Sequence, residues 1–245
     1  MEQILPQNPF NGSLAAEYDL LRLMCPNSIK LAAMIGDKIS HIGSGPKSIN
    51  GFEIGCGTGI CTHYLFKSNE NINLTAVDNS SHMLSQAKHS LEQELAAGKL
   101  KLIENDALAQ LKLTPSQSLD FVASNYAIHN FDNSYRQQTL SEILRILKPG
   151  GIFINGDRYA FDDTIHQLKE TQQLIREWFR LFKKIDRIDL LEDWVAHLLS
   201  DESPHILMRF NYSINQLKEL GFNEINVDFR EGVDTLICAY KPSRA

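Results

Sequence analysis

Residues 53–59, Glu-Ile-Gly-Cys-Gly-Thr-Gly, place an acid at the end of an apolar run and follow it with three alternating glycines. A chain built this way turns sharply between a buried strand and a helix, because glycine lacks a Cβ and accepts the positive φ that other residues avoid. Such a turn gathers backbone amides at a helix start, where a polar or anionic ligand group is favoured. The acid ahead of the glycines calls for a cation or a donor. A ligand with an α-amino group beside a carboxylate meets both demands. The dinucleotide fingerprint Gly-x-Gly-x-x-Gly is not met, since its third glycine would fall on Ile60. A nicotinamide cofactor is therefore disfavoured.

The glycine turn belongs to an alternating series. Strands are expected over 49–54, 72–78, 99–104, 118–125 and 151–157, with helices over 59–68, 80–96 and 134–147. Leu84, Ala87, Leu91 and Leu95, then Leu140, Ile143, Leu144 and Leu147, repeat at three- and four-residue steps and mark buried helix faces. This alternation predicts a parallel sheet with helices on both faces. The strand 72–78 ends on Asp78, about 20 residues beyond the glycines, where nucleotide-binding sheets hold a ribose. A helix cap beside Ser80 is the other reading of Asp78. Two amino-terminal helices, 13–24 and 28–42, are separated at Pro26. At the far end, 222–229 and 233–240 are joined so tightly that they must form an antiparallel hairpin.

Five segments then occur in order: Glu53–Gly59; Ala76-Val-Asp-Asn-Ser80 with Met83; Glu104-Asn-Asp-Ala107; Asp120 through His129; and Leu147-Lys-Pro-Gly-Gly151. In this order and spacing they resemble the successive motifs of class I S-adenosylmethionine (SAM)-dependent methyltransferases, strongly over 45–158 and weakly over the last two strands. The resemblance implies an α/β fold: a doubly wound, seven-stranded, mostly parallel sheet with an antiparallel carboxy-terminal hairpin and a helical insertion after strand five. It also implies SAM as cofactor. Glu53 and the backbone of Gly55, Cys56, Gly57 and Gly59 would hold the methionine amino and carboxylate groups. Asp78 would hold the ribose hydroxyls, and Asn79 and Met83 would flank the adenine, although Met83 equally fits the helix face of Ala87 and Leu91. Asp106 would accept from the adenine amino group, the Ala107 amide would donate to the ring, and Asn125 would sit beside the sulfonium. The segment Glu17-Tyr-Asp-Leu-Leu-Arg22 resembles the cofactor cap of many free-standing bacterial methyltransferases, which implies contacts from Tyr18 and Arg22. His129 follows strand four, where the family places the reacting centre, and is the candidate general base. Asn125-Tyr126 lacks the Asn-Pro-Pro-Tyr pattern of adenine-N6 and glutamine methyltransferases, which disfavours those substrates.

A chain of 245 residues has room for one large α/β domain, read as a helical cap over 1–44, a cofactor core over 45–157, an insertion over 158–210 and a closing helix and hairpin over 211–245. The net charge of −6 lacks the clustered basic residues that nucleic acid requires. Cys25, Cys56, Cys61 and Cys238 have no metal-ligand spacing with histidines, so no metal site is expected. No segment reads as a signal peptide or membrane span, which makes the cytoplasm the expected location. In the insertion, Ile165, Leu168, Ile175, Phe179 and Phe182 form one helical stripe, and Ile188, Leu191, Val195 and Leu198 a second. They suit either a lid over the substrate or the interface of a homodimer. As a lid, Trp178, Phe179, Phe182 and Trp194 would offer an apolar surface to the acceptor, and His197 and Arg209 would orient its polar end. Arg158 and Tyr159 follow strand five and would face the substrate. The expected activity is methyl transfer to a small molecule. The alternatives are a carboxy-SAM synthase of tRNA wobble-uridine modification, and a catalytically silent SAM-binding regulator. Leu190-Leu-Glu-Asp-Trp194 lacks the basic residue expected of the synthase.

Overall fold

The structure is a computed structural model, and it describes residues 23–42 and 48–243. The expected Tyr18 and Arg22 contacts lie outside the described residues. Seven strands form one sheet in the order β3-β2-β1-β4-β5-β7-β6. They are β1 (Ile49–Ile54), β2 (Ile72–Asp78), β3 (Leu100–Glu104), β4 (Leu119–Asn125), β5 (Leu147–Arg158), β6 (Asn223–Glu231) and β7 (Asp234–Tyr240). The first five pair in parallel, and β7 runs antiparallel between β5 and β6. The expected fold class is therefore borne out.

Side chains alternate between the two faces of the sheet, as a doubly covered sheet requires. Ile152 and Ile154 of β5 and Leu236 and Cys238 of β7 point to one core, where Leu31, Ile35 and Ile39 of helix α1 (Pro26–Ser40) pack with Leu65 of α2 (Ile60–Ser68) and Leu84 and Ala87 of α3 (Ser81–Ser90). Their neighbours Phe153, Ile237 and Ala239 enter the opposite core with Leu140 and Ile143 of the long helix Asn133–Ile146. Pro26 opens α1 at its first turn instead of preceding a helix at Ser28; proline fits there because its missing N–H would have no helical partner. The helix expected over 80–96 is two helices, α3 and α4 (Glu92–Ala96), with Leu91 outside helical dihedrals at φ −122° and ψ 29°. A further helix, α5 (Ala107–Leu113), was not foreseen. Asp106 caps it by accepting from the Ala109 amide at 2.8 Å, and Leu108 and Leu111 are its buried residues.

After α6 (Asn133–Ile146) and β5, the insertion holds α7 (Thr164–Lys184) and α8 (Leu191–Asp201), and α9 (Phe210–Leu220) leads into β6. Trp178, Phe182, Leu190, Leu191, Trp194 and Leu198 form a third core with Met24. The aromatic side chains of Trp178, Phe182 and Trp194 are thus consumed by packing and are not the acceptor surface expected of them. The first stripe is also rotated. α7 buries Gln167, Thr171, Trp178 and Phe182, while Ile165, Leu168 and Phe179 are 66%, 57% and 54% exposed. The reason is the large area of Trp178, which lies off the aliphatic stripe and draws its own face inward.

Candidate functional site

The chain passes from β1 to β2 and β3 on one side and returns to β4 on the other, so strand order reverses between β1 and β4. A crevice at the carboxyl ends of the strands is the ligand side of such a sheet. Glu53, Asp78 and Asn125 all stand at these ends. Gly55, Gly57 and Gly59 have φ of +65°, +53° and +88°. A Cβ on Gly55 would meet the Ala127 Cβ at 2.4 Å, and one on Gly59 the Leu91 Cδ1 at 2.7 Å. The turn is therefore closed to side chains by backbone conformation and by space. The Gly55 and Cys56 amides donate to the Val77 carbonyl, which ties the turn to β2.

Glu53 is buried. Its Oε2 accepts from the Thr62 hydroxyl at 2.6 Å, while Oε1 has no hydrogen-bond partner among the described residues. Burial pushes its carboxyl up to about 7, against the hydrogen bonds from Thr62 and Cys61. Asn125 donates through Nδ2 to the Ser28 carbonyl at 3.0 Å, and its Oδ1 is likewise buried without a partner among the described residues. Two orphaned acceptors on adjacent strands fit a donor-rich cation such as the methionine ammonium of SAM, because a buried acceptor left unpaired is costly. Burial also raises the Cys56 thiol well above its ordinary value, so Cys56 contributes its backbone and bulk.

Asp78 serves the loop before any ligand arrives. Its Oδ2 accepts from the Gly57 amide at 2.8 Å and its Oδ1 from the Ser80 amide at 2.9 Å. The ribose and cap readings are thus compatible, since each carboxylate oxygen can accept more than one bond. Burial raises its pKa, opposed by the Ser80 and Gly57 amides. Asp78→Ala is expected to weaken SAM by at least ~1.5–3 kcal/mol, because it releases the Gly57 amide and removes the carboxylate expected to accept from a ribose; calorimetry giving parent-like affinity would remove Asp78 from the site. Asn79 is exposed at the turn, whereas Met83 is buried on α3 with Leu84 and Ala87. Asp106 accepts from the Tyr135 hydroxyl at 2.7 Å as well as capping α5, and Ala107 is the first residue of that helix. A charged adenine contact from Asp106 must share these bonds.

Beyond β4, Tyr126 takes φ +54°, an uncommon conformation for a bulky residue. Its hydroxyl donates to Asp234 at 2.5 Å, and Asn27 donates to the other Asp234 oxygen at 2.8 Å. His129 is buried in the next turn, with Nδ1 2.5 Å from Asp157 Oδ1. The second Asp157 oxygen accepts from the Ile128 and His129 amides. A small cavity beside this ring is lined by Arg158, Gln167, Asp201, Glu202 and Met208. Burial opposes the charge on Arg158, but Asp201, Cys25, Tyr126 and Asp234 together outweigh it and raise its pKa. Burial lowers the pKa of His197, with Asp201 opposing. Arg209 does not orient a ligand from here, since it donates to the Phe161 and Asp162 carbonyls. Sequence reasoning missed Asp157, Asp201 and Asp234. Asp157, at the end of an apolar strand, was the one with a readable signal.

The strand order and the glycine turn are those of the class I SAM-dependent methyltransferase fold. Residues 52–151 match the family described as "Methyltransferase domain". Demethylmenaquinone methyltransferase of Leptospira interrogans is 35% identical over 102 residues, 42% of this chain and 40% of that protein. The chain thus spans less than half of that relative. Carboxy-S-adenosyl-L-methionine synthase of Hydrogenovibrio crunogenus is 23% identical over 227 residues, 90% of this chain and 84% of that one. Among solved structures, phosphoethanolamine N-methyltransferase 2 of Haemonchus contortus, in complex with S-adenosylhomocysteine, superposes with a TM-score of 0.65 at 13% identity, covering 98% of this chain and 61% of that one. At that identity the likeness is one of fold. No described helix is long and apolar enough to cross a membrane.

Proposed function

We propose that this protein is an enzyme that transfers a methyl group from SAM to a small-molecule acceptor. The observation that carries the reading is the pair of buried, unpartnered acceptors, Glu53 Oε1 and Asn125 Oδ1, beside the positive-φ glycine turn. With SAM bound, the cofactor supplies the activated methyl carbon. The chain supplies alignment: Glu53 and the turn amides orient the methionine end, Asp78 the ribose and Asp106 with Ala107 the adenine. Proximity of this kind can lower a barrier by about 7–11 kcal/mol. His129 is the acceptor-side residue. With Asp157 holding Nδ1–H, the Nε2 lone pair is left to take the proton of a hydroxyl or amine acceptor. The insertion contributes Gln167, Asp201 and Glu202 to the same cavity, which supports a lid role for 158–210.

Isothermal calorimetry with SAM, S-adenosylhomocysteine and a nicotinamide cofactor tests the reading. Micromolar binding of the first two, worth roughly 8 kcal/mol, is expected; heat from the nicotinamide cofactor alone would overturn it. The pH dependence carries a second signature. A cationic ligand favours ionised Glu53, whose carboxyl sits at about 7 in the free protein. Affinity is therefore full above that pH and lost as pH falls through it, by about tenfold between pH 8 and pH 6. Asp78 and Cys61 are the other titratable groups acting on Glu53. Glu53→Gln separates them: the variant should bind more weakly at pH 8 and lose most of the pH slope. A slope unchanged in Glu53→Gln would assign the titration to another group.

The likeness over most of the chain to carboxy-SAM synthases favours that activity as the second reading. Mass spectrometry of the nucleotide released from purified protein separates the two. Unmodified SAM or S-adenosylhomocysteine supports methyl transfer, and a carboxylated SAM supports the synthase.

A further inference from the structure

Two histidines and an aspartate converge on one point at the edge of the acceptor cavity. His129 comes from the turn after β4, and His197 and Asp201 come from one face of α8, four residues apart. His129 Nε2 lies 4.0 Å and His197 Nε2 3.8 Å from the same oxygen, Asp201 Oδ2. All three ligand atoms lie within 4.8 Å of one another. These gaps are too long for direct hydrogen bonds, which for N–H···O end near ~3.2 Å. They are a little wider than the roughly 3.3 Å between ligand atoms bonded at about 2.0–2.1 Å to a tetrahedral ion. A small inward movement of each side chain therefore closes them on a metal.

The surroundings favour the same occupant. The three side chains are 9%, 13% and 11% exposed, so they are held by packing and shielded from bulk water. Asp157 fixes the His129 ring through Nδ1 and is itself fixed by two backbone amides, which turns Nε2 toward the cluster. A carboxylate behind a histidine is the usual outer support of a metal-bound imidazole. Around the cavity, Asp157, Asp201, Asp234 and Glu202 set four acidic groups against the guanidinium groups of Arg158 and Arg136. A dication balances that surplus.

We infer that His129, His197 and Asp201 bind a divalent transition-metal ion of the zinc type, with Asp157 as the positioning carboxylate. Two imidazoles select zinc-like ions over magnesium or calcium, which prefer all-oxygen sites. Three protein ligands leave a fourth position open for water or an acceptor heteroatom. The ion and a proton compete for the same Nε2 lone pair, so His129 acts as a base only in the ion-free protein. The site escapes sequence reading because His129 is distant in the chain from His197 and Asp201, and no local spacing connects them.

The test uses tag-free full-length protein, dialysed against a chelator and titrated with Zn2+ against a chromophoric competitor, and with Co2+ as an optical probe. About one equivalent of Zn2+ should bind at micromolar affinity or tighter, with the visible d–d bands of an N- and O-ligated Co2+ ion and no competition from Mg2+. His197→Ala and Asp201→Ala should each weaken Zn2+ by at least about tenfold, and Asp157→Asn by about 10–100-fold with all three ligands intact. Cys25→Ser should leave binding unchanged. Circular dichroism checks folding, and His197→Gln and Asp201→Asn replace the alanine variants if those fail to fold. Absence of stoichiometric Zn2+, or binding untouched by the His197 and Asp201 variants, overturns the site. SAM calorimetry on the same samples keeps this outcome separate from that of the methyl-transfer reading.

Discussion

Gly57→Val is expected to abolish SAM binding, with affinity in calorimetry reduced by at least about a hundredfold, or ~2.7 kcal/mol. Gly57 sits at φ +53°, which a β-branched residue adopts only under strain. Its amide donates to Asp78 at 2.8 Å, so a shift of the turn to relieve that strain breaks the tie to β2. The two flanking glycines also hold positive φ, and neither has space for a Cβ, so the strain has nowhere to spread. Gly57→Ala should fall between the two, since alanine reaches positive φ at lower cost. Parent-like affinity in Gly57→Val would move the cofactor away from the glycine turn altogether.

Trp194→Ala is expected to cost ~3–5 kcal/mol of stability, the range for deleting a buried aromatic ring, read as a lower midpoint in chemical unfolding. Trp194 is 2% exposed and meets the Trp178 ring edge-on, with centroids 6.2 Å apart. Both rings belong to the third core, apart from the two cores on the faces of the sheet. Trp194→Phe should cost far less. The indole N–H has no partner among the described residues, so removing it forfeits no hydrogen bond seen there. An unchanged midpoint in Trp194→Ala would mean that the insertion is not a packed unit and would weaken the lid proposal with it.

Legibility followed locality. The helix α5 leaves no periodic trace in the sequence because it spans seven residues, although Asp106 ahead of Leu108 and Leu111 is a readable cap signal. The break at Leu91 had no such signal. Leu91 continues the apolar stripe, and the 2.7 Å gap between its Cδ1 and a Cβ built on Gly59 shows it packed against the glycine turn. The buried face of α7 is not legible in the sequence because Ile165, Leu168 and Phe179 repeat as regularly as Gln167, Thr171 and Trp178. Periodicity locates apolar faces but does not rank two of them, and here the partner surface from α8 made the choice.

The sequence by itself determined the sheet, its strand ends and the glycine turn that follows the first of them. Those depend on short-range chemistry: β-branched runs, glycines that alone accept positive φ, and acids placed one strand length after an apolar start. Only the tertiary structure decided what surrounds the acceptor. Asp157, Asp201 and Asp234 come from different elements, and their meeting with His129, Arg158 and Tyr126 depends on how α8 and the β5–β7 pair close over the end of β4. Such contacts join residues far apart in the chain, and no spacing rule carries them. The physical reason is that side-chain packing in the interior, and not local backbone preference, sets which polar groups must share a buried space.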